Sequence, residues 1–268
     1  MSELHVINKT KMALTKETLK KEFENLGLMS GDTVLVHSSM SSIGWVCGEE
    51  RTVIEGLIDV LGSGGTLCMP AHSGGNSDPA DWMNPPVPKE WFEVIYNNMP
   101  AFDPDINPTR GIGRIAEQFR LYPGTKRSNH PQTSFCAMGK YADEITRGHV
   151  LTPQLGPDTP LGKLYQLEAK VLLLGVGYDS CTSFHYGEVL SGNTTRKKLG
   201  AAVYRGDTRE WVWFEDYDYN CDDFDRLGED FEKHYEVKTG KVGNAVCKLF
   251  NIQDGIDFSV TWLRENRS

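Results

Sequence analysis

The sequence predicts an α/β protein, a single compact domain over residues 1–268. Its centre is a mostly parallel or mixed sheet flanked by helices, with a C-terminal elaboration of helical and strand segments. Three observations predict this. Short apolar runs (Thr33-Val34-Leu35-Val36, Thr66-Leu67-Cys68-Met69 and Val171-Leu172-Leu173-Leu174) alternate with segments of helical period. Turn residues bound each run: Ser30-Gly31-Asp32, Gly64-Gly65 and Gly175. Hydrophobic residues make up 39% of 268 positions, enough for a sizeable core.

Thr15 caps a helix in which Leu19, Phe23 and Leu26 recur at helical spacing, and Gly27 ends it. The strand Thr33–Val36 follows, then a Ser-rich loop. Val53, Ile54, Leu57, Ile58 and Leu61 form the apolar face of a second helix. Gly64-Gly65 leads into the strand Thr66–Met69, which Pro70 closes. Residues 72–88 are a long Gly-, Pro-, Asn- and Asp-rich loop, the kind that is usually functional or disordered. Lys170–Gly175 is the strongest strand signal, and Thr182–Leu190 reads as a helix after it. Beyond Ala201, Trp211–Phe214 alternates into an acidic tract, and two or three short helical patterns close the chain.

Charge narrows the function classes. Thirty-seven acidic against 28 basic residues leave a net charge of −9. That excludes a nucleic-acid backbone or an anionic membrane as principal partner, since both need clustered Lys and Arg. The balance suits a cationic ligand better, but most soluble cytosolic proteins are also mildly acidic, and that is the favoured reading of charge alone. No apolar run approaches the roughly 20 residues that cross a bilayer. Met1–Lys11 lacks the apolar stretch of a secretory signal. Six singly spaced cysteines, with no Cys-x-x-Cys pair, read as reduced thiols and not as disulfides or a zinc site. The expected location is cytoplasmic.

Five segments carry candidate chemistry. The loop His37-Ser38-Ser39-Met40-Ser41 follows the first strand, where ligands bind in open α/β sheets; a plain Ser-rich turn is its other reading. Pro108-Thr109-Arg110-Gly111-Ile112-Gly113-Arg114 places two arginines one helical turn apart beside a permissive glycine, suited to a phosphate. It superficially resembles the GCN5-type acyl-CoA loop Arg-x-x-Gly-x-Gly/Ala, but Ile115 breaks that match. Gly175-Val176-Gly177-Tyr178-Asp179-Ser180 is two-thirds of a dinucleotide fingerprint; Ser180 replaces the third glycine, and Arg196-Lys197-Lys198 stand where an acidic residue would hold a ribose.

Thr182-Ser183-Phe184-His185-Tyr186-Gly187-Glu188 is the most informative segment. On a helix, His185 and Glu188 share a face, so the carboxylate can orient the imidazole of a general base. A structural buried histidine is the alternative, and a metal site lacks enough ligands. Last, Glu215, Asp216, Asp218, Asp222 and Asp223 put five carboxylates into nine residues, interleaved with Tyr217 and Tyr219. Such a tract is a solvated loop by default, or else a pocket for an amine-rich ligand.

The ordered series Leu35-Val36-His37-Ser38-Ser39, Gly64–Pro70, Pro108-Thr109-Arg110, Arg127-Ser128-Asn129-His130-Pro131, Thr159-Pro160-Leu161-Gly162 and Leu172–Gly177 running on to Thr182–Glu188 resembles the aminoglycoside 3-N-acetyltransferases, over about residues 10–262. The resemblance implies that family's α/β fold, not the GCN5-type fold, with acetyl-CoA as cosubstrate and no metal. It implies His185 as general base toward the 3-amino group of a deoxystreptamine ring, Glu188 as its orienting partner, and Asp218 close to the reacting amine. CoA would lie along His37, Ser38, Ser39, Met40 and Ser41 and near Thr109, Arg110 and Gly111. Glu215, Asp216, Asp218, Asp222 and Asp223 would face the polycationic sugar. Transfer would be direct, without an acyl-enzyme, in a monomer or homodimer. Arg127, Ser128 and His130 belong to a signature whose individual roles stay unassigned. Cys181 and the Tyr186-Gly187 pair depart from the family's more usual residues. A different amine as acceptor, or a non-catalytic CoA- or ligand-binding relative, are the alternatives.

Overall fold

The computed structural model of the protein describes residues 3–267. Its strands are β1 (Thr33–Ser38), β2 (Thr66–Pro70), β3 (Lys126–Arg127), β4 (Phe135–Gly139), β5 (Lys170–Leu174), β6 (Arg196–Arg205), β7 (Thr208–Tyr217), β8 (Lys238–Val242) and β9 (Ala245–Asn251). Its helices are α1 (Glu3–Lys9), α2 (Lys16–Leu26), α3 (Met40–Ile43), α4 (Glu49–Leu61), α5 (Phe92–Asn98), α6 (Arg114–Arg120), α7 (Ala142–Thr146), α8 (Pro160–Gln166), α9 (Ser183–Ser191), α10 (Phe224–Phe231) and α11 (Ile252–Asn266).

Seven strands form one sheet in the order β3-β4-β2-β1-β5-β9-β8. Only the centre is parallel: β1 pairs with β2 and with β5 in that sense. The flanking pairs are antiparallel. Buried central strands need apolar residues on both faces, and the cores show this division. Val34, Val36, Leu67, Met69, Leu172 and Leu174 point into one core with Leu19, Phe23 and the apolar face of α4. Leu35, Cys68, Val171 and Leu173 point into the other, packed by Phe184, Phe224, Phe231 and Ile256.

Local signals act where the sequence places them. Thr15 accepts the Thr18 amide, and Gly27 ends α2 in the left-handed region at φ 113°. The closing segment differs from the expected run of short helices. Between α10 and α11 the chain forms the hairpin β8–β9, and β9 pairs antiparallel with β5 to complete the sheet. The polar sequence of β8, Lys-Thr-Gly-Lys-Val, hides this hairpin: an edge strand has little apolar surface to bury, so its pattern is weak.

The long excursion after β2 is ordered by a second body, the two-stranded β6–β7 hairpin. The Asn76 amide both donates to the Ala202 carbonyl and accepts its amide, each at 2.8 Å. Tyr96 packs against Trp211 and Trp213 at 4.9 and 5.3 Å between ring centroids.

A largely buried polar cluster at the end of β3 supplies roles for the Arg127-Ser128-x-His130 signature. The Arg127 guanidinium donates to the carbonyls of Ala71, Pro104 and Asn107 and to the hydroxyls of Ser73 and Ser134. One cation thus ties the chain leaving β2 to the segment before Arg110. His130 Nδ1 accepts the amides of Gln132 and Thr133, while Nε2 lies 3.1 Å from the Leu151 carbonyl as its donor. The Ser128 hydroxyl sits 2.9 Å from His149 Nδ1, and His149 Nε2 lies 2.8 Å from the Gln154 carbonyl. Each ring uses one nitrogen to accept and one to donate, the pattern of a neutral imidazole.

Burial holds the His130 pKa down at about 4 and that of His149 well below its ordinary value. The unfolded chain therefore binds protons that the folded chain refuses. Their contribution is complete above about pH 6.5 and is lost as pH falls toward the folded values; for His130 alone the loss is about 2 kcal/mol by pH 5. Urea midpoints should therefore drop between pH 7 and pH 5, and His130→Asn should flatten that dependence while lowering stability at pH 7.

Candidate active site

The three parallel strands end at one edge of the sheet. After β1 the chain crosses to β2 on one side, and β5 later pairs on the other, so the loops leaving these strands part around β1. A crevice at such a switch point is where open α/β sheets bind ligands. Here it is a cleft of about 940 Å³, lined by His37–Ser41, His72, residues 111–114, Val176, Asp179, Ser180, Thr182 and His185.

The helix α9 brings His185 to this edge. Its face toward the sheet carries Phe184, stacked on Tyr178 and Phe250, which fixes the rotation of the helix. His185 Nδ1 lies 2.5 Å from Glu188 Oε2, the pairing expected from i,i+3 spacing. The Glu188 carboxylate is completely buried. Its other oxygen accepts the Asn220 amide at 3.1 Å and the Arg267 guanidinium. With the carboxylate accepting from Nδ1–H, a neutral ring has its lone pair on Nε2. Tyr219 and Phe224 hold the ring at 5.3 and 4.8 Å. The His185 side chain keeps 17% exposure and lines the cleft, so a ligand can reach it.

His37 and His72 stand on the same floor. Burial, with His185 nearby, drops the His37 pKa to about 3. Burial, with His37 and His185 nearby, does the same to His72. Both are neutral at physiological pH, and among the described residues neither Nε2 has a partner. Five of the six thiols have raised pKa values: burial lifts Cys68 well above the usual range, Cys136 and Cys181 to about 12 and Cys247 to about 11, and also raises Cys221. None of these is a thiolate poised to attack. Among the described residues, no group of three or more His, Cys, Asp or Glu side chains is placed to hold a metal ion.

The structure gathers some of the sequence-derived candidates and separates others. His37, Ser38, Ser39, Met40, Ser41 and Gly111 line the cleft with His185. Thr109 does not: its amide and hydroxyl both bind Glu117 Oε2, at 2.9 and 2.7 Å, and fasten the loop to α6. Arg110 is held by a backbone bond to the His72 carbonyl, and its exposed side chain lies next to Gly75. Arg114 lines the cleft in its place, ion-paired with Glu49 and Glu50.

The acidic tract is not one surface. Its first half is the end of β7, where successive residues point to opposite faces. Asp216 is fully buried and accepts the amides of Gln154 and Tyr217. The exposed Glu215 gives its carbonyl to Thr152. Asp218 pairs with Lys197 at 2.7 Å on the hairpin, Asp223 pairs with Arg267, and Asp222 is exposed. None of the five lines the cleft that holds the His37–Ser41 loop. Three residues escaped the sequence reading. His72 was findable, since it follows a strand adjacent to β1. Asp179 sits in a loop read only as a broken dinucleotide motif. Arg267 had no signal, because its partners lie 44 to 79 positions away.

The mixed sheet and its matches among known proteins place the chain in a class of acetyltransferases. The chain belongs to the aminoglycoside 3-N-acetyltransferase family, whose model matches residues 35–264. It is 43% identical over 264 residues to the SPbeta prophage-derived aminoglycoside N(3')-acetyltransferase-like protein YokD of Bacillus subtilis (strain 168), covering 98% of this chain and 97% of that one. The crystal structure of YokD superposes with a TM-score of 0.96. AAC-VIa bound to sisomicin matches at a TM-score of 0.86 and 28% identity, over 95% of this chain and 98% of the other. AAC-IIIb in a binary complex with CoASH matches at 0.85 and 29%, over 95% and 97%.

The departure at Gly187 has a structural cause. A Cβ built there would lie 1.9 Å from Ser259 Oγ and 2.9 Å from its Cβ, so α9 and α11 touch through a glycine. Gly187→Ala should cost about 1–3 kcal/mol, and Ser259→Gly in the same chain should restore most of it in urea unfolding.

Proposed function

We propose that this protein transfers the acetyl group of acetyl-CoA to the 3-amino group of a 2-deoxystreptamine aminoglycoside, with His185 as general base. One observation carries the reading: an imidazole with its Nδ1 held by a buried carboxylate and its Nε2 free, in the same cleft as the His37–Ser41 loop. CoA would lie along that loop, with its thioester brought toward His185. The hydroxyls of Ser38, Ser39 and Ser41 and the exposed Arg110 and Arg114 are the donors available to it. As the amine attacks the thioester carbonyl, Nε2 takes its proton, the C–S bond breaks and CoA leaves as thiolate. Glu188 stabilises the imidazolium that forms. The raised thiol pKa values agree with direct transfer rather than an acyl-cysteine.

Acetyl-CoA and an aminoglycoside are the ligands that the relatives' complexes favour. A second reading keeps acetyl-CoA but takes a different amine. The pairing of Asp218 with Lys197 and of Asp223 with Arg267, and the burial of Asp216, favour it, because these carboxylates are engaged within the protein.

The test is thiol release from acetyl-CoA with gentamicin-, kanamycin- and neomycin-like acceptors. Release is expected with at least one, and His185→Ala and Glu188→Gln should each lower turnover about 10²–10⁴-fold. No release with any of them, but release with another amine, would select the second reading. Full activity in His185→Ala would remove the general base from the mechanism.

A further inference from the structure

We infer that Arg267 is a positioning residue for the His185–Glu188 pair, holding the buried Glu188 carboxylate ionised and aimed at the imidazole. The inference rests on the reading of His185 as the base. Arg267 follows α11 and lies beyond the residues 35–264 that the family model covers.

Its guanidinium is spent on one cluster. Nη1 donates to Glu188 Oε1, Nε donates to Asp223 Oδ2 at 2.8 Å, and Nη2 donates to Asp223 Oδ1 and to the Asn220 carbonyl, the latter at 2.6 Å. The main chain is anchored too. The Arg267 amide reaches the Leu263 carbonyl at 3.0 Å, and the Arg267 carbonyl accepts from the Asn193 side chain. The cation lies 5.7 Å from the centre of the Phe224 ring, the same ring that packs on His185.

Two consequences follow from elementary electrostatics. A carboxylate removed from water needs compensation, and a neutral imidazole supplies a hydrogen bond but no charge. Arg267 supplies the charge. With Oε1 occupied by Arg267 and the Asn220 amide, only Oε2 is left for His185, so the carboxylate cannot rotate away from Nδ1. The second consequence concerns protons. Resting, the cluster of Glu188, Asp223 and Arg267 carries one net negative charge. A positive charge beside the His–Glu pair opposes adding a proton to it, whichever partner that proton sits on. Arg267 therefore keeps His185 available as a base at lower pH than Glu188 alone would allow. The other ionisable groups around the pair are the buried neutral His37 and His72, Asp179 at the cleft wall, Tyr219 with Asp216 behind it, and Cys221.

The experiment is a titration of the histidine ring nitrogens by ¹⁵N NMR in the free full-length protein. The His185 signal is assigned by its loss in His185→Ala, and kcat is measured against pH in parallel. Arg267→Gln should raise the His185 midpoint by about one pH unit, and on the acid limb of kcat this means about tenfold less turnover. Arg267→Lys, which keeps the charge, should stay near the wild-type midpoint. Asp223→Asn removes a negative charge from the same cluster and should move the midpoint down. A lower melting temperature in Arg267→Gln with an unchanged His185 midpoint would reduce Arg267 to a staple between α11 and the Asn220 loop and overturn the inference. If Arg267→Gln does not fold, an unmoved midpoint in Asp223→Asn overturns it equally. The NMR titration needs no acceptor, so an inactive wild-type enzyme would count against the proposed reaction and leave this result standing.

Discussion

A carboxylate with no exposed surface sits beside an imidazole at the cleft, and much of the protein's second layer answers to that placement. Glu188 is drawn into the interior because α9 packs Phe184 into the sheet and presses Gly187 against Ser259 of α11. Once there, its charge has to be met. The Asn220 amide and Arg267 meet it from one side and His185 from the other. The segment after β7, the start of α10 and the residue after α11 therefore converge on one helix turn. The arrangement is costly to disturb: any single partner removed leaves a buried charge with too few contacts.

The opposite wall of the cleft rests on a different device. Arg127 is a half-buried cation with no carboxylate in salt-bridge reach among the described residues, held by backbone carbonyls and serine hydroxyls. Burial lowers its pKa to about 10, which still leaves it charged at neutral pH. By gathering carbonyls from both sides of the loop system, it sets where His72 and residues 108–111 stand relative to β1. The neutral His37 and His72 complete that floor. Among the described residues, their buried Nε2 atoms have no hydrogen-bond partner.

How far the site was legible depends on how its residues are connected. His185 and Glu188 are three positions apart on a helix, and helical periodicity is a local property, so their pairing could be read directly. The His37–Ser41 loop was legible for a similar reason: it follows an apolar strand, and strand ends are where such sheets bind. The acidic tract is a compositional signal, and strand alternation separates its members. Asp216 and Glu215 are neighbours in sequence, yet they fall on opposite faces of β7. The β8–β9 hairpin was hidden because edge strands carry little apolar pattern.

By itself the sequence determined the alternation of strands and helices, the capped boundaries such as Thr15 and Gly27, and the His–Glu spacing. All of these follow from backbone geometry and side-chain period over a few residues. Only the tertiary structure decided which charges are free and which are neutralised. Lys197 takes Asp218, Arg267 takes Asp223 and Glu188, and Arg127 takes carbonyls from distant loops. Charge pairing depends on distance in space, and the fold alone brings residues dozens of positions apart to within hydrogen-bond reach.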